Sequence, residues 1–326
     1  LKLSNLRPAF NHFLWVYYPA FFPDNKSRIV YTDQFKYKLT IKKFNTVREL
    51  FVKDLAVSPG SVFEGDFDAA KNILNLNMRA DSIRYKTVKF NMNKIESYSQ
   101  NNKINLVFKS DYIDLTDSIR LYNYFMYFVS KDKNTKYNAE WDNKTKPQNA
   151  GKIAGKALFE NRSAILTFDN IFLTAHDSTW RMVSSDTTTI DSSGVVRVKP
   201  LVFANSIQGL SIYGGLSNKP NEKLAFDVRN FELAQLSPFF GRSLKIEGTL
   251  NGQFALHNTM KNLAFSSDLS FEKLKLNNKS LGHGELKAEY NNLDKYLYLD
   301  GFTSIGLPDI LGERIKNISF SGYYYM

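Results

Sequence analysis

Four histidines, His12, His176, His257 and His283, are the residues best suited to acid–base or metal chemistry, and they lie far apart in the chain. None stands in the H-x-x-x-H or H-E-x-x-H spacing that would place two imidazoles on one helical face around zinc. His257 follows an alternating run and precedes Asn258, and His283 lies between Gly282 and Gly284. Both are turn or strand-surface positions. Carboxylates pair at Asp66/Asp68 and Asp111/Asp114, and two acids at a controlled separation can hydrolyse a glycosidic bond. Asp66 and Asp68, however, flank Phe67 and share the polar face of one strand. Gly282–His283–Gly284 and Gly214–Gly215 do not complete a G-x-G-x-x-G, and no clear helix follows them to hold a phosphate. No G-x-S-x-G elbow occurs. The chain has no cysteine, which excludes disulfides, thiol catalysis and cysteine-ligated zinc. These patterns assign no catalytic residue, no nucleotide site, no metal and no cofactor, and the chain is expected not to be an enzyme.

The elements that carry these groups are strands. In Phe35–Lys36–Tyr37–Lys38–Leu39–Thr40–Ile41–Lys42 the apolar and cationic residues alternate, which a strand sorts onto two faces and a helix would scatter. The same sorting recurs in Leu74–Arg79, Ile104–Leu106, Leu244–Leu250 and Leu286–Tyr290. Short polar connections punctuate it at Gln100–Lys103, Asn251–Gly252, Asn277–Lys279 and Asn291–Asp294, where Asn and Gly tolerate positive φ. The pattern predicts an all-β antiparallel meander, with short helical turns near Leu6–Tyr17, Leu115–Phe125 and Ala234–Phe240. The polar stretch Asn143–Gly155 is the best internal boundary and Asp186–Gly194 a similar excursion, but neither has linker composition. One continuous segment over residues 1–326 is therefore expected.

The 326 residues carry 43 Lys+Arg against 32 Asp+Glu, a net charge of +11. The lysines stand singly in alternating runs, which suits a solvated sheet face better than a nucleic-acid site. Aromatics reach 14%, as flat rings on a pleated surface require. The apolar stretch Phe13–Phe22 is too short to cross a bilayer and is interrupted by Pro19. A start at Leu1 and an end in Tyr323–Tyr324–Tyr325–Met326 lead to the expectation that this is a segment of a longer protein.

Alternation by itself leaves three uses for the apolar face. It can fill the closed core of a structural or adhesive β module, face lipid outside an outer-membrane barrel, or line a trough open to acyl chains. Phe254, Leu256, Phe265, Leu269, Phe271, Leu274 and Leu276 suit a trough and an ordinary core alike, and physical argument alone favours the plain core.

One stretch shifts that balance. His176–Met182, Ile207–Gly214, Phe231–Phe240 and Leu244–Gly252 follow one another in an order that resembles the TamB translocation and assembly module family, an AsmA-like group, particularly its Bacteroidota members. The resemblance covers about Thr174 to Asp300. It implies a β-taco, an elongated antiparallel meander rolled lengthwise around an apolar interior groove. It also implies a periplasmic location, with a tether to the inner membrane through a segment outside this chain. Phospholipid is the implied cargo between the two membranes, and an outer-membrane barrel of the BamA type the implied partner, engaged by a region not in this chain. On this reading Leu244, Ile246, Leu250, Phe254, Leu256, Phe265, Leu269, Leu286 and Tyr290 line the groove, Lys245 and Glu247 face away from it, and nucleic acid is not a partner.

Overall fold

Alternating sequence becomes antiparallel strand throughout the computed structural model, which describes residues 3–22, 34–44, 54–100, 103–116, 119–160, 162–217, 219, 222–240, 245–259, 262–293, 295–304 and 318–325. The chain divides into two compact units, Leu1–Asp177 and Ser178–Met326. The first holds the helix α1 (Leu3–Tyr17) and strands β1 (Gln34–Thr40), β2 (Leu55–Val57), β3 (Val62–Asp68), β4 (Ile73–Tyr85), β5 (Val88–Gln100), β6 (Lys103–Asp114), β7 (Arg120–Lys131), β8 (Asn134–Asp142), β9 (Ala150–Glu160) and β10 (Ser163–Ala175). From β3 to β10 each strand pairs antiparallel with the next. β1 pairs with the outer side of β3, and β2 extends that same edge along β4. The polar loop 143–149 lies inside this unit, and the strands on either side of it pair from Asn134↔Leu158 to Asp142↔Ala150.

The second unit holds β11 (Ser178–Ser185), β12 (Thr188–Asp191), β13 (Val196–Asn205), β14 (Gln208–Leu216), β15 (Lys223–Glu232), a 3-10 helix (Leu233–Phe240), β16 (Ile246–His257), β17 (Ala264–Leu276), β18 (Lys279–Asn291), β19 (Tyr296–Thr303) and β20 (Ile318–Tyr325). Both β11 and β12 pair with β13. From β13 to β20 the ladder is again a simple meander. Asn277 and Asn278 both take positive φ, 48° and 67°, and close the β17–β18 hairpin as a two-residue turn of the kind that matches strand twist.

Two local expectations are corrected. Asn251–Gly252 is not a turn but the middle of β16, where Gly252 at φ 125° passes against β17. A Cβ there would stand 2.2 Å from the Asp268 carbonyl oxygen, so close strand approach explains this glycine. Leu115–Phe125 is not helical. The Leu115 amide donates to the Ile119 carbonyl at 3.0 Å, and from Arg120 the chain is β7, in register with β6 from Arg120↔Asp114 to Lys131↔Lys103.

The helix buries Ala9, Phe13 and Tyr17, spaced four apart on one face, against Phe67, Ala69 and Ile104. Tyr18, just beyond it, is hydrogen-bonded to the Ser130 hydroxyl at 2.8 Å and meets the Phe159 ring edge-on at 5.1 Å. Four ring-to-ring steps therefore lead from β3 to β9: Phe67–Phe13, Phe13–Tyr17, Tyr17–Tyr18 and Tyr18–Phe159, none longer than 6.2 Å. Six spacings of about 4.8 Å separate those strands in a flat sheet, more than the four steps can reach. The sheet of the first unit bends around its helix.

Glycines on the concave face make room for aromatic rings. Tyr37 lies opposite Gly65, crosses it, and donates to the Asn75 carbonyl one strand farther on at 3.1 Å. Tyr137 repeats the arrangement over Gly155, donating to the Thr167 carbonyl at 3.1 Å. Trp141 covers Gly151 in the same way, with ring atoms 2.2–2.7 Å from where a Cβ would be. In each case a bare backbone is roofed by a ring from the neighbouring strand.

Three substitutions test this packing by urea denaturation. Gly155→Ala, whose methyl would meet the Thr167 carbonyl at 2.0 Å, is expected to cost about 1–3 kcal/mol. Gly322→Ala, with open space around it, should stay within about 0.5 kcal/mol of the parent. Phe13→Ala, at 1% exposure, should cost about 3–5 kcal/mol.

Candidate functional site

The residues chosen from sequence as groove-lining fall into adjoining cross-strand rows of the second unit. One row runs Leu224–Leu256–Phe265–Tyr290–Leu297 across β15 to β19. The next contains Phe226 and Phe254, and the one after it Val228, Gly252, Leu269 and Leu286. A fourth joins Phe231, Leu250 and Phe271. Ile246 lies opposite Leu276 at the far end, beyond an irregularity between Glu247 and Thr249. Directly opposed residues share a face, so these side chains form one apolar surface. Leu244 lies outside the described residues.

Rings run obliquely across this surface. Phe226 and Phe254 are 5.7 Å apart, Phe254 and Phe265 5.9 Å, and Phe265 and Tyr290 5.5 Å in a stacked pair. Ile246, Leu250, Phe254, Leu256, Phe265, Leu269, Leu286 and Tyr290 are all half-buried. Their neighbours at Gln253, Asp268, Glu285, Lys287 and Glu289 point the other way and are exposed. Lys245 and Glu247 form an ion pair at 2.6 Å, and Lys275 reaches the other Glu247 oxygen at 3.5 Å. These exposed pairs mark the wet side and are each worth no more than about 1 kcal/mol.

The first unit repeats the face with more cover. Phe67, Met78, Ala80, Ile104, Phe108, Ile113, Ala157, Ala164 and Ile171 are all under 9% exposed, the first and fourth of them beneath α1. Near the 3-10 helix of the second unit a polar cluster is buried instead. Trp180 stacks on Phe231 and donates to Gln235 at 2.9 Å, and Gln235 donates to Gln208, which also accepts from the Glu232 amide. Sequence reading did not find this cluster: its members lie in runs that carry the family resemblance, but they come from separate elements and only the fold brings them together.

Several of the groups with catalytic potential are tied to a local partner. Asp66 accepts from the Asn75 side-chain amide, Asp68 from the Lys71 backbone, and Asp114 from Arg120. His257 is 2.9 Å from the Ser266 hydroxyl, and burial lowers its pKa, with Lys223 adding to the effect. His283 is 2.6 Å from the Ser304 hydroxyl. His12 stacks on Trp15, and the His176 amide donates to Asn149. Among the described residues no three His, Asp or Glu side chains come together as a metal site, and no helix is long and apolar enough to cross a membrane.

Comparison with family models, curated proteins and solved structures finds no match to this chain.

The roofing tyrosines give a pH signature. Burial, reinforced by the Asp169 charge, pushes the Tyr137 hydroxyl up to about 12, and burial also raises Tyr37 and Tyr124. A phenol that holds its proton more tightly when folded contributes stability that is complete below the ordinary tyrosine range, near pH 10, and is lost as pH rises toward 12. Ultraviolet titration of the folded protein should show a late tyrosinate near pH 12, and Tyr137→Phe should remove it.

Proposed function

We propose that this chain is a lipid-handling segment of the cell envelope, carrying phospholipid acyl chains along the apolar face of its sheet, in the manner of a β-taco between inner and outer membrane. The observation that carries the reading is the exposure of that face. Apart from the buried Leu224, its Phe, Leu and Tyr side chains from β15 to β19 are half-buried, with Gln253, Asp268, Glu285, Lys287 and Glu289 exposed on the reverse. A closed core would bury such side chains almost fully. Each methylene withdrawn from water contributes about 0.8 kcal/mol, so an acyl chain laid across Leu250, Phe254 and Leu269 would be held without any polar recognition. The resemblance to the TamB family supplies the rest: periplasmic residence, a tether to the inner membrane, and a BamA-type barrel engaged through a region outside this chain. Lipid handling needs no catalytic group, and none is assigned.

A closed structural core is the second reading, favoured by the buried face of the first unit.

Two measurements decide between them. With a photoreactive amino acid at Leu250 or Leu269, lipid should be captured in cells, whereas at Gln253 or Asp268 it should not. Protein purified without detergent should retain phospholipid, and Leu250→Asp combined with Leu269→Asp should lose it while keeping the β spectrum of the parent. Equal capture from both faces, or a folded parent free of lipid, would sink the trough and leave the closed core.

A further inference from the structure

The net charge of the chain is concentrated in its first unit. Residues 1–177 contain 27 Lys and Arg against 18 Asp and Glu, so they carry +9 of the overall +11. Part of that excess is gathered at the strand ends remote from α1. There Arg84 lies opposite Lys89, Lys89 opposite Asp114, and Asp114 opposite Arg120, one row crossing β4, β5, β6 and β7.

This row reaches the polar side of the sheet through a fault. The ladders pass from Ala80↔Asn93 to Ser82↔Asn91, from Asn93↔Ser110 to Asn91↔Tyr112, and from Ser110↔Tyr124 to Tyr112↔Tyr122. Met92 and Asn123, which lie in the gaps, take φ of 53° and 50°. Beyond the fault the alternation is inverted. Phe90 still meets Phe108 at 5.7 Å, and Ile83 still packs with Met78 and Ala80. Without the inversion Arg84 and Lys89 would point into the apolar side.

The row borders a cleft of about 540 Å³, lined by Arg84, Thr87, Lys89, Asp114, Thr116 and Arg120 together with Leu115. The Arg120 guanidinium is fixed by two constraints. It donates through Nε to Asp114, and it lies 4.3 Å from the Tyr112 ring centroid and 5.8 Å from that of Tyr122. Asp114 offsets one of the three cations. Among the described lining residues a surplus of two positive charges is left, one of them a guanidinium suited to paired bonds with a tetrahedral oxyanion.

We propose that this cleft is a binding site for a phosphate ester, either a phospholipid headgroup or a soluble phosphorylated compound. Arg84 and Lys89 supply the free charge, Arg120 the oriented guanidinium, and Thr87 a hydroxyl. The site is separate from the apolar face of the second unit and stands whether or not that face carries lipid.

The test uses the whole chain, with inorganic phosphate followed by calorimetry and with vesicles of phosphatidylcholine, with or without phosphatidylglycerol, followed by flotation. The variant Arg84→Gln/Lys89→Gln leaves the Arg120 stack untouched. The control Lys94→Gln/Lys109→Gln removes the same charge from a separate row on the other side of the fault. The cleft variant should weaken phosphate binding at least about tenfold while the control changes it little, because charge-assisted bonds are short-ranged and the rest is screened. Binding of both phosphate and phosphatidylglycerol vesicles, lost together in the cleft variant, identifies a lipid headgroup. Phosphate binding without vesicle binding, lost in the same variant, identifies a soluble ester. No saturable phosphate binding, or equal loss in cleft variant and control, overturns the proposal.

Discussion

Register is the constraint on which everything else in this protein depends. With a period of two, a slip of one residue in a single ladder would carry that strand's leucines and phenylalanines to water and its lysines to the apolar side. Opposed pairs such as Leu256↔Phe265, Leu269↔Leu286 and Tyr290↔Leu297 penalise any such slip strand by strand. The reverse face adds a second check, since Lys38↔Glu64, Glu140↔Lys152 and Asp268↔Lys287 are both directly opposed and ion-paired. Their electrostatic energy is small, but a two-residue slip of β17 on β18 would set Asp268 against Glu285 or Glu289.

A strict period could not by itself give a curved sheet with useful edges, and the departures from it are specific. Positive-φ residues at Met92, Asn123, Asn230 and Lys273 occur inside or between the ladders of strands, not at hairpins. Each lets one strand reset its facing while the pairing continues. Glycines at 65, 151 and 155 remove a side chain so that a ring can cross, which buries backbone without adding a polar group to the concave side. Tyr37 and Tyr137 spend their hydroxyls on carbonyls two strands away. Neither ring thereby brings an unpaired hydroxyl to the concave side.

These devices explain how much could be read from the sequence. The meander, and the common facing of Ile246, Leu250, Phe254, Leu256, Phe265, Leu269, Leu286 and Tyr290, follow from alternation, which is local and visible in one strand at a time. The turn at Asn277–Asn278 was legible for the same reason. Asn251–Gly252 carried the same chemistry and was misread, because a glycine needed for close approach to β17 looks identical to one needed for a hairpin. Leu115–Phe125 was misread because from Arg120 it is already the start of β7. No property of Met92 as a residue marks it for positive φ, so the inversion beyond it, and the gathering of Arg84, Lys89 and Arg120, appear only once the partners of β4 to β7 are known.

Exposure is what distinguishes the two units, and it follows from cover rather than composition. Both present the same alternating residues. In the first, α1 lays Ala9, Phe13 and Tyr17 onto the concave face and the sheet bends to meet them, so that Phe67 and Ile104 are sealed. In the second, the short 3-10 helix sits at one strand end over Trp180 and Gln208, bound through a polar cluster. The leucines and phenylalanines of β15 to β18 keep part of their surface open. An apolar face left half-open costs hydrophobic stabilisation that a longer helix would recover. Among its described residues the second unit lays no such helix on that face, and on the reading proposed above the surface receives a guest that is itself apolar. On the lipid-handling reading proposed above, successive rows that each carry Leu or Phe would hold a sliding acyl chain with similar strength.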